Sequence, residues 1–92
     1  MKVFEFEGQK GIIKLLFFLS ARKGEVNANT ILQESGIYQR VLWRSVDKLE
    51  SLKLVKRRTD SSSYPPRKLI CLTEKGLRVV RKMEEIESIL TE

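Results

Sequence analysis

Gly36 separates two stretches of helical spacing, and the second stretch gives way to strand-like composition within a few residues, an order that few small folds accommodate. The stretch ending at about Glu34 turns Ile31 and Leu32 inward, with Asn27 or Asn29 as its cap. Ser35-Gly36 ends it, because glycine tolerates the left-handed backbone of a tight turn. The next helix is expected over Tyr38 to Leu52. Successive residues 100° apart gather Leu42, Val46 and Leu49 into one sector, with Ile37 and Leu52 closing its ends. Arg40, Arg44, Asp47 and Ser51 then point the opposite way, and Trp43 lies on the flank. Lys53 to Thr59 reads as a strand and Arg67 to Leu72 as its antiparallel partner. Asp60 to Pro66 is a loop by composition.

The flanks complete one compact unit, since 92 residues leave no room for a second core. Lys2 to Glu7 alternates polar and apolar residues, which suits a strand or an ordered arm. Gln9 to Arg22 is a helix apolar on nearly every face, expected to be buried by its own domain or partly by a second subunit. Lys23-Gly24-Glu25 is a turn, and Val26-Asn27 suits a very short strand. A long helix begins at about Glu74 with Thr73 as its N-cap. The expected class is therefore α+β and mostly α, with a two- to three-stranded antiparallel hairpin unit and a long C-terminal helix. A single domain spans residues 1–92, and residues 74–92 are its terminal helix.

The formal charge is +6, and its position is more telling than its size. Between Gly36 and Leu72 lie nine basic residues against Asp47, Glu50 and Asp60, while the remaining nine basic and nine acidic residues cancel. The whole excess thus belongs to one helix and one hairpin. A charge run by itself is most often a solvated face. Concentrated on a helix and hairpin, it is what a polyanion requires, because phosphate contacts dominate nucleic-acid affinity. Arg40 and Arg44 can present guanidinium forks to guanine edges in a major groove, and Gln39 can read adenine. Lys56, Arg57, Arg58, Arg67 and Lys68 suit backbone phosphates or an adjacent minor groove. With Tyr38, Trp43, Lys48 and Tyr64 these residues form the candidate DNA-contact set. For Trp43 a helix or subunit contact is favoured over DNA. Tyr64, beside Pro65-Pro66, suits contact with DNA or a partner as well as turn packing.

Other chemistries lack their residues. No histidine is present, which removes the commonest metal ligand and general base. The single cysteine, Cys71, permits no internal disulfide or multi-thiolate zinc site, fits a reducing cytoplasm, and alternates away from Ile70 and Leu72. Asp47 and Glu50 form the nearest carboxylate pair on the central helix, without an implied pocket. No catalytic site, metal or cofactor is expected. The apolar run Gly11 to Leu19, interrupted by Lys14, falls short of the roughly 20 residues a bilayer span needs, and no cleavage site follows it.

From Ile31 through Gly76 the chain resembles winged helix-turn-helix transcriptional regulators of the MarR, PadR and ArsR-like type. Leu49-Glu50-Ser51-Leu52-Lys53-Leu54-Val55 is similar to the segment joining their recognition helix to the first wing strand, where glycine often stands in place of Lys53. Ile70-Cys71-Leu72-Thr73-Glu74-Lys75-Gly76 resembles their second wing strand entering the last helix, and its Leu-Thr-Glu-Lys-Gly run is the most specific signal. The resemblance implies a dimeric repressor or activator with Tyr38 to Lys48 in the major groove. The Ser-Ser-Ser-Tyr-Pro-Pro tip departs from the Asp-x-Arg-like pattern of the MarR wing, and no paired-cysteine metal-sensing motif is present.

In the last helix Val79, Met83, Ile86 and Leu90 follow the spacing of a helix seam, which points to homodimerisation through residues 74–92, together with the first helix. The expected function is a homodimeric, sequence-specific regulator binding double-stranded DNA, cytoplasmic and without membrane contact. The alternatives are a sequence-tolerant architectural DNA binder and a winged-helix protein-interaction module. The sequence specifies no small-molecule effector.

Overall fold

The computed structural model describes residues 11–92 and contains, among them, four helices and a three-stranded antiparallel sheet. The elements are α1 (Ile12–Ala21), β1 (Val26–Asn27), α2 (Ala28–Ser35), α3 (Gln39–Ser51), β2 (Val55–Asp60), β3 (Arg67–Leu72) and α4 (Glu74–Leu90). The expected strand or arm at Lys2 to Glu7, and Gln9 and Lys10 at the expected start of the first helix, lie outside the described residues. The helix itself begins at Ile12, three residues later than expected.

Its burial is also less complete than an all-round apolar surface suggests. Ile12, Leu15, Leu16 and Leu19 follow helical spacing and face the core, while Ile13 is exposed and Phe17 and Phe18 are half-buried. The core is completed by Val26, Ala28, Ile31, Ile37, Leu42, Val46, Leu49, Leu54, Val55, Ile70 and Val80. Leu42, Val46 and Leu49 on α3 are all wholly buried, as their common sector predicts.

The turn between α2 and α3 is fixed by a side chain as well as by glycine. Ser35 Oγ donates to the Ile31 carbonyl at 2.5 Å and accepts from the Ile37 amide at 3.1 Å. Gly36 takes φ +76°, and at the start of α2 Asn27, rather than Asn29, caps through its side-chain oxygen.

β3 lies in the middle of the sheet, paired with β1 on one side and β2 on the other. Facing residues in an antiparallel pair share a side of the sheet. Val55 with Leu72, Arg57 with Ile70 and Thr59 with Lys68 therefore form the side turned toward the helices, where Val55 and Ile70 are buried. Lys56 with Cys71, Arg58 with Leu69 and Asp60 with Arg67 occupy the other side, so Cys71 does point away from Ile70 and Leu72.

The first wing strand starts two residues later than the expected Lys53, because Lys53 and Leu54 instead close α3. The Lys53 amide bonds the Glu50 carbonyl and the Leu54 amide bonds the Leu49 carbonyl, each at 2.9 Å, with Leu49 and Leu54 both buried. This is the Schellman arrangement, whose left-handed position is filled by Lys53 at φ +63°. Thr73 then locks the far end of the hairpin onto that turn. Its amide bonds the Leu54 carbonyl at 3.0 Å, and its hydroxyl donates to the Lys53 carbonyl at 2.7 Å while accepting from the Gly76 amide at 3.0 Å. Thr73 is thus both the expected α4 cap and a clamp on the end of α3. Gly76 is buried there, and a Cβ on it would lie 2.1 Å from the Leu54 carbonyl oxygen.

Two stability outcomes follow from this junction. Gly76→Ala forces backbone apart and should cost roughly 1–3 kcal/mol or more, lowering the thermal midpoint by about 4–8 °C per kcal/mol in a domain of this size. Lys53→Gly removes a left-handed penalty of about 1–2 kcal/mol while adding about 0.5–1 kcal/mol of glycine entropy. Its midpoint should rise by a few degrees, and a fall would show that the Lys53 side chain stabilises this turn.

Candidate nucleic-acid interface

The interface is built on α3, whose buried stripe of Leu42, Val46 and Leu49 fixes which residues can face outward. Tyr38, Gln39, Arg40 and Arg44 are exposed on its N-terminal half, Tyr38 to 81%. Arg40 and Arg44 stand one turn apart and take part in no ion pair with any described residue. Lys48, on the last turns, is half-buried. Trp43 packs half-buried against the core, and the Lys68 ammonium lies 5.1 Å from its ring centroid. This cation–π pair ties the hairpin to α3.

The wing arginines have partners that charge counting does not reveal. Arg57 faces α3, where its guanidinium meets Asp47 at 2.7 Å and Glu50 at 3.0 Å. The hydrogen bond that Arg57 donates to Asp47 is the main cause holding the Arg57 pKa above its ordinary value, with Glu50 reinforcing it against burial. Arg58, on the other side of the sheet, forms a two-point pair with Glu25 at 2.5 and 2.7 Å. That hydrogen bond raises the Arg58 pKa and lowers that of Glu25. Lys53, Lys56, Arg67 and Lys68 make no ion pair among the described residues.

An open groove runs between α3 and the hairpin. Gln39, Trp43, Asp47, Arg57, Thr59 and Lys68 line its inner part. Toward the tip it continues past Ser63, Tyr64, Pro65 and Arg67 to the N-terminus of α2 at Asn27 and Asn29. The tip is ordered by Asp60, whose carboxylate accepts from the Ser62 amide at 3.0 Å and the Ser62 hydroxyl at 2.6 Å. These bonds hold its pKa below the usual carboxylate range. Arg67 donates to Ser63 Oγ at 3.1 Å, and Tyr64 projects 98% exposed.

The structure therefore brings Gln39, Trp43, Arg57, Tyr64, Arg67 and Lys68 around one groove, with Tyr38, Arg40 and Arg44 on the exposed helix face, whereas the Arg58 guanidinium is turned to Glu25 across the sheet. Lys56 lies on the sheet's other side. Sequence reasoning missed Glu25, Asp47 and Glu50 as partners of the wing. Strand alternation from buried Val55 does place Arg57 toward α3, and that signal pointed to the Asp47 and Glu50 contacts. On α4, Val79 and Met83 are half-buried on the domain's own core, whereas Ile86, Ile89 and Leu90 are 58%, 64% and 79% exposed. Among the described residues no cluster suits a metal ion, and no helix is long and apolar enough to cross a membrane.

No protein-family model and no curated relative matches the chain by sequence. Solved structures do match its fold. A PadR-like transcription factor from Bacteroides fragilis superimposes with a TM-score of 0.73 at 22% identity, covering 87% of this chain and 82% of its own. A protein from Archaeoglobus fulgidus matches with a TM-score of 0.77 at 18% identity and covers 99% of both chains. A MarR-family regulator from Enterococcus faecalis V583 matches with a TM-score of 0.68 at 25% identity, over 80% of this chain and 66% of its own. The helix order, the three-stranded wing and these neighbours together make the fold that of the winged-helix transcriptional regulators of the PadR-like and MarR type.

Proposed function

We propose that the chain is a homodimeric, sequence-specific transcriptional regulator that places the N-terminal half of α3 in the major groove of duplex DNA. The observation that carries this reading is the pair Arg40 and Arg44, which project from α3 opposite its wholly buried stripe and are not held in ion pairs with described residues. A guanidinium fork matches guanine edges, and an N-terminal helix face is the part that reaches bases in helix-turn-helix docking. The wing supplies Arg67 and Lys68 toward phosphates. The fold neighbours, described as PadR-like and MarR-family regulators, support this assignment.

Dimerisation rests on α4. Its first half packs on the domain, while Ile86, Ile89 and Leu90 form an apolar end that the described residues leave uncovered. A second copy related by a two-fold axis covers such a surface and sets two α3 helices on half-sites about one DNA turn apart.

Arg40→Ala or Arg44→Ala should leave the thermal midpoint near wild type and weaken duplex binding by about 10- to 100-fold each, from about 1–3 kcal/mol per base contact. Selection from a random duplex pool should enrich a two-fold motif. Equal displacement of that motif by random DNA would leave an architectural binder instead, and absence of duplex affinity at low salt would leave a protein-interaction module. For the dimer, Ile86→Glu with Leu90→Glu should yield a folded monomer in sedimentation, and an unchanged oligomeric state would exclude this end of α4 as the contact.

A further inference from the structure

The groove between α3 and the wing is closer to electrostatic balance than its sequence suggests. Its wing side carries Arg57 and Lys68, yet Asp47 and Glu50 both approach the same Arg57 nitrogen, at 2.7 and 3.0 Å. Two carboxylates against one guanidinium cancel Arg57 and offset Lys68 where, on the DNA-binding reading, a sugar–phosphate strand passes between helix and hairpin. A carboxylate and a phosphate offer an arginine the same kind of acceptor, a pair of anionic oxygens on a small rigid centre.

We propose that Asp47, seconded by Glu50, occupies Arg57 as an intramolecular stand-in for a DNA phosphate and so lowers the affinity of the interface. The inference rests on the DNA-binding reading above and adds a regulatory role for acidic residues on the helix itself. The exchange is accessible because all three groups remain open to water: the side chains of Asp47, Glu50 and Arg57 are 63%, 41% and 37% exposed. Ion pairs with that exposure are weakly held, so a phosphate can replace the carboxylate without disrupting the fold. The buried stripe of α3 and the Lys68–Trp43 contact keep hairpin and helix together when the pair opens. Competing away one phosphate contact weakens binding to all sequences alike, so affinity falls while the preference set by base contacts is unchanged.

The opposite role for the same geometry is positioning, in which the two carboxylates orient Arg57 for DNA, and the two roles predict opposite signs. Full-length Asp47→Asn should bind a labelled duplex about two- to fivefold more tightly at about 0.1 M salt, the scale of one exposed ion pair. Asp47→Asn with Glu50→Gln should bind more tightly still. The gain should shrink at about 0.5 M salt, where screening is short-ranged, and should vanish in an Arg57→Gln background. Unchanged or weaker binding by Asp47→Asn, with its thermal midpoint near wild type, overturns the proposal while leaving DNA binding intact. A gain that persists in the Arg57→Gln background also overturns it, since the effect is then general repulsion. If the wild-type chain binds no duplex at either salt concentration, the function proposed above falls together with this inference.

Discussion

Everything that positions the proposed DNA-contact surface depends on the contact among Thr73, Lys53, Leu54 and Gly76. The end of α3, the start of the wing and the start of α4 meet at this point, and each supplies backbone groups that burial would otherwise leave unpaired. The Lys53 and Leu54 amides close the helix, their carbonyls bond Thr73, and the Thr73 hydroxyl bonds the Gly76 amide. A hydroxyl suits this place because it donates to one carbonyl and accepts from one amide at once. The close approach is possible only because Gly76 has no side chain beside the Leu54 carbonyl. The Leu-Thr-Glu-Lys-Gly run thus has a packing cause, and Lys53 stands at a left-handed position that glycine would fill without strain.

From this anchored root the hairpin reaches over α3 and is fastened by charge. Arg57 bridges to Asp47 and Glu50, Lys68 lies over Trp43, and Arg58 crosses the other face of the sheet to Glu25. These contacts are exposed and individually weak. They set the orientation and electrostatic character of the wing without adding much to stability. Net charge and local field consequently separate. The helix and hairpin hold all of the formal excess, yet the groove between them is close to balanced, and the uncompensated positive charge stands on the exposed N-terminal half of α3 and on the hairpin positions without an ion pair.

The helix and strand periods were legible because they are local. Leu42, Val46 and Leu49 announced the buried face of α3, Thr73 the cap of α4, and Arg67 to Leu72 its strand, while the α2 cap was narrowed to Asn27 or Asn29. The errors fell where two elements meet. Lys53 and Leu54 look like strand residues by composition and become the closing turn of α3, because hydrogen bonds to Thr73 outweigh their strand tendency. The first helix looks apolar all round, but a single domain of this size can cover only the face carrying Ile12, Leu15, Leu16 and Leu19. The seam of α4 divides for the same reason: Val79 and Met83 lie within reach of the core, and Ile86 and Leu90 do not.

By itself the sequence determined which segments are helix and strand, where they turn, and that the excess of positive charge belongs to one helix and one hairpin. Those properties depend on residue spacing, backbone preference and composition, all of which act over a few neighbours. Only the tertiary structure decided which of those charges remain open to a partner. Arg57 lies ten residues from Asp47 in the chain and Arg58 lies 33 from Glu25, so their pairing is set by how the wing folds back over α3 and across β3. Charge is fixed by the chain, but the field a phosphate meets is fixed by distance.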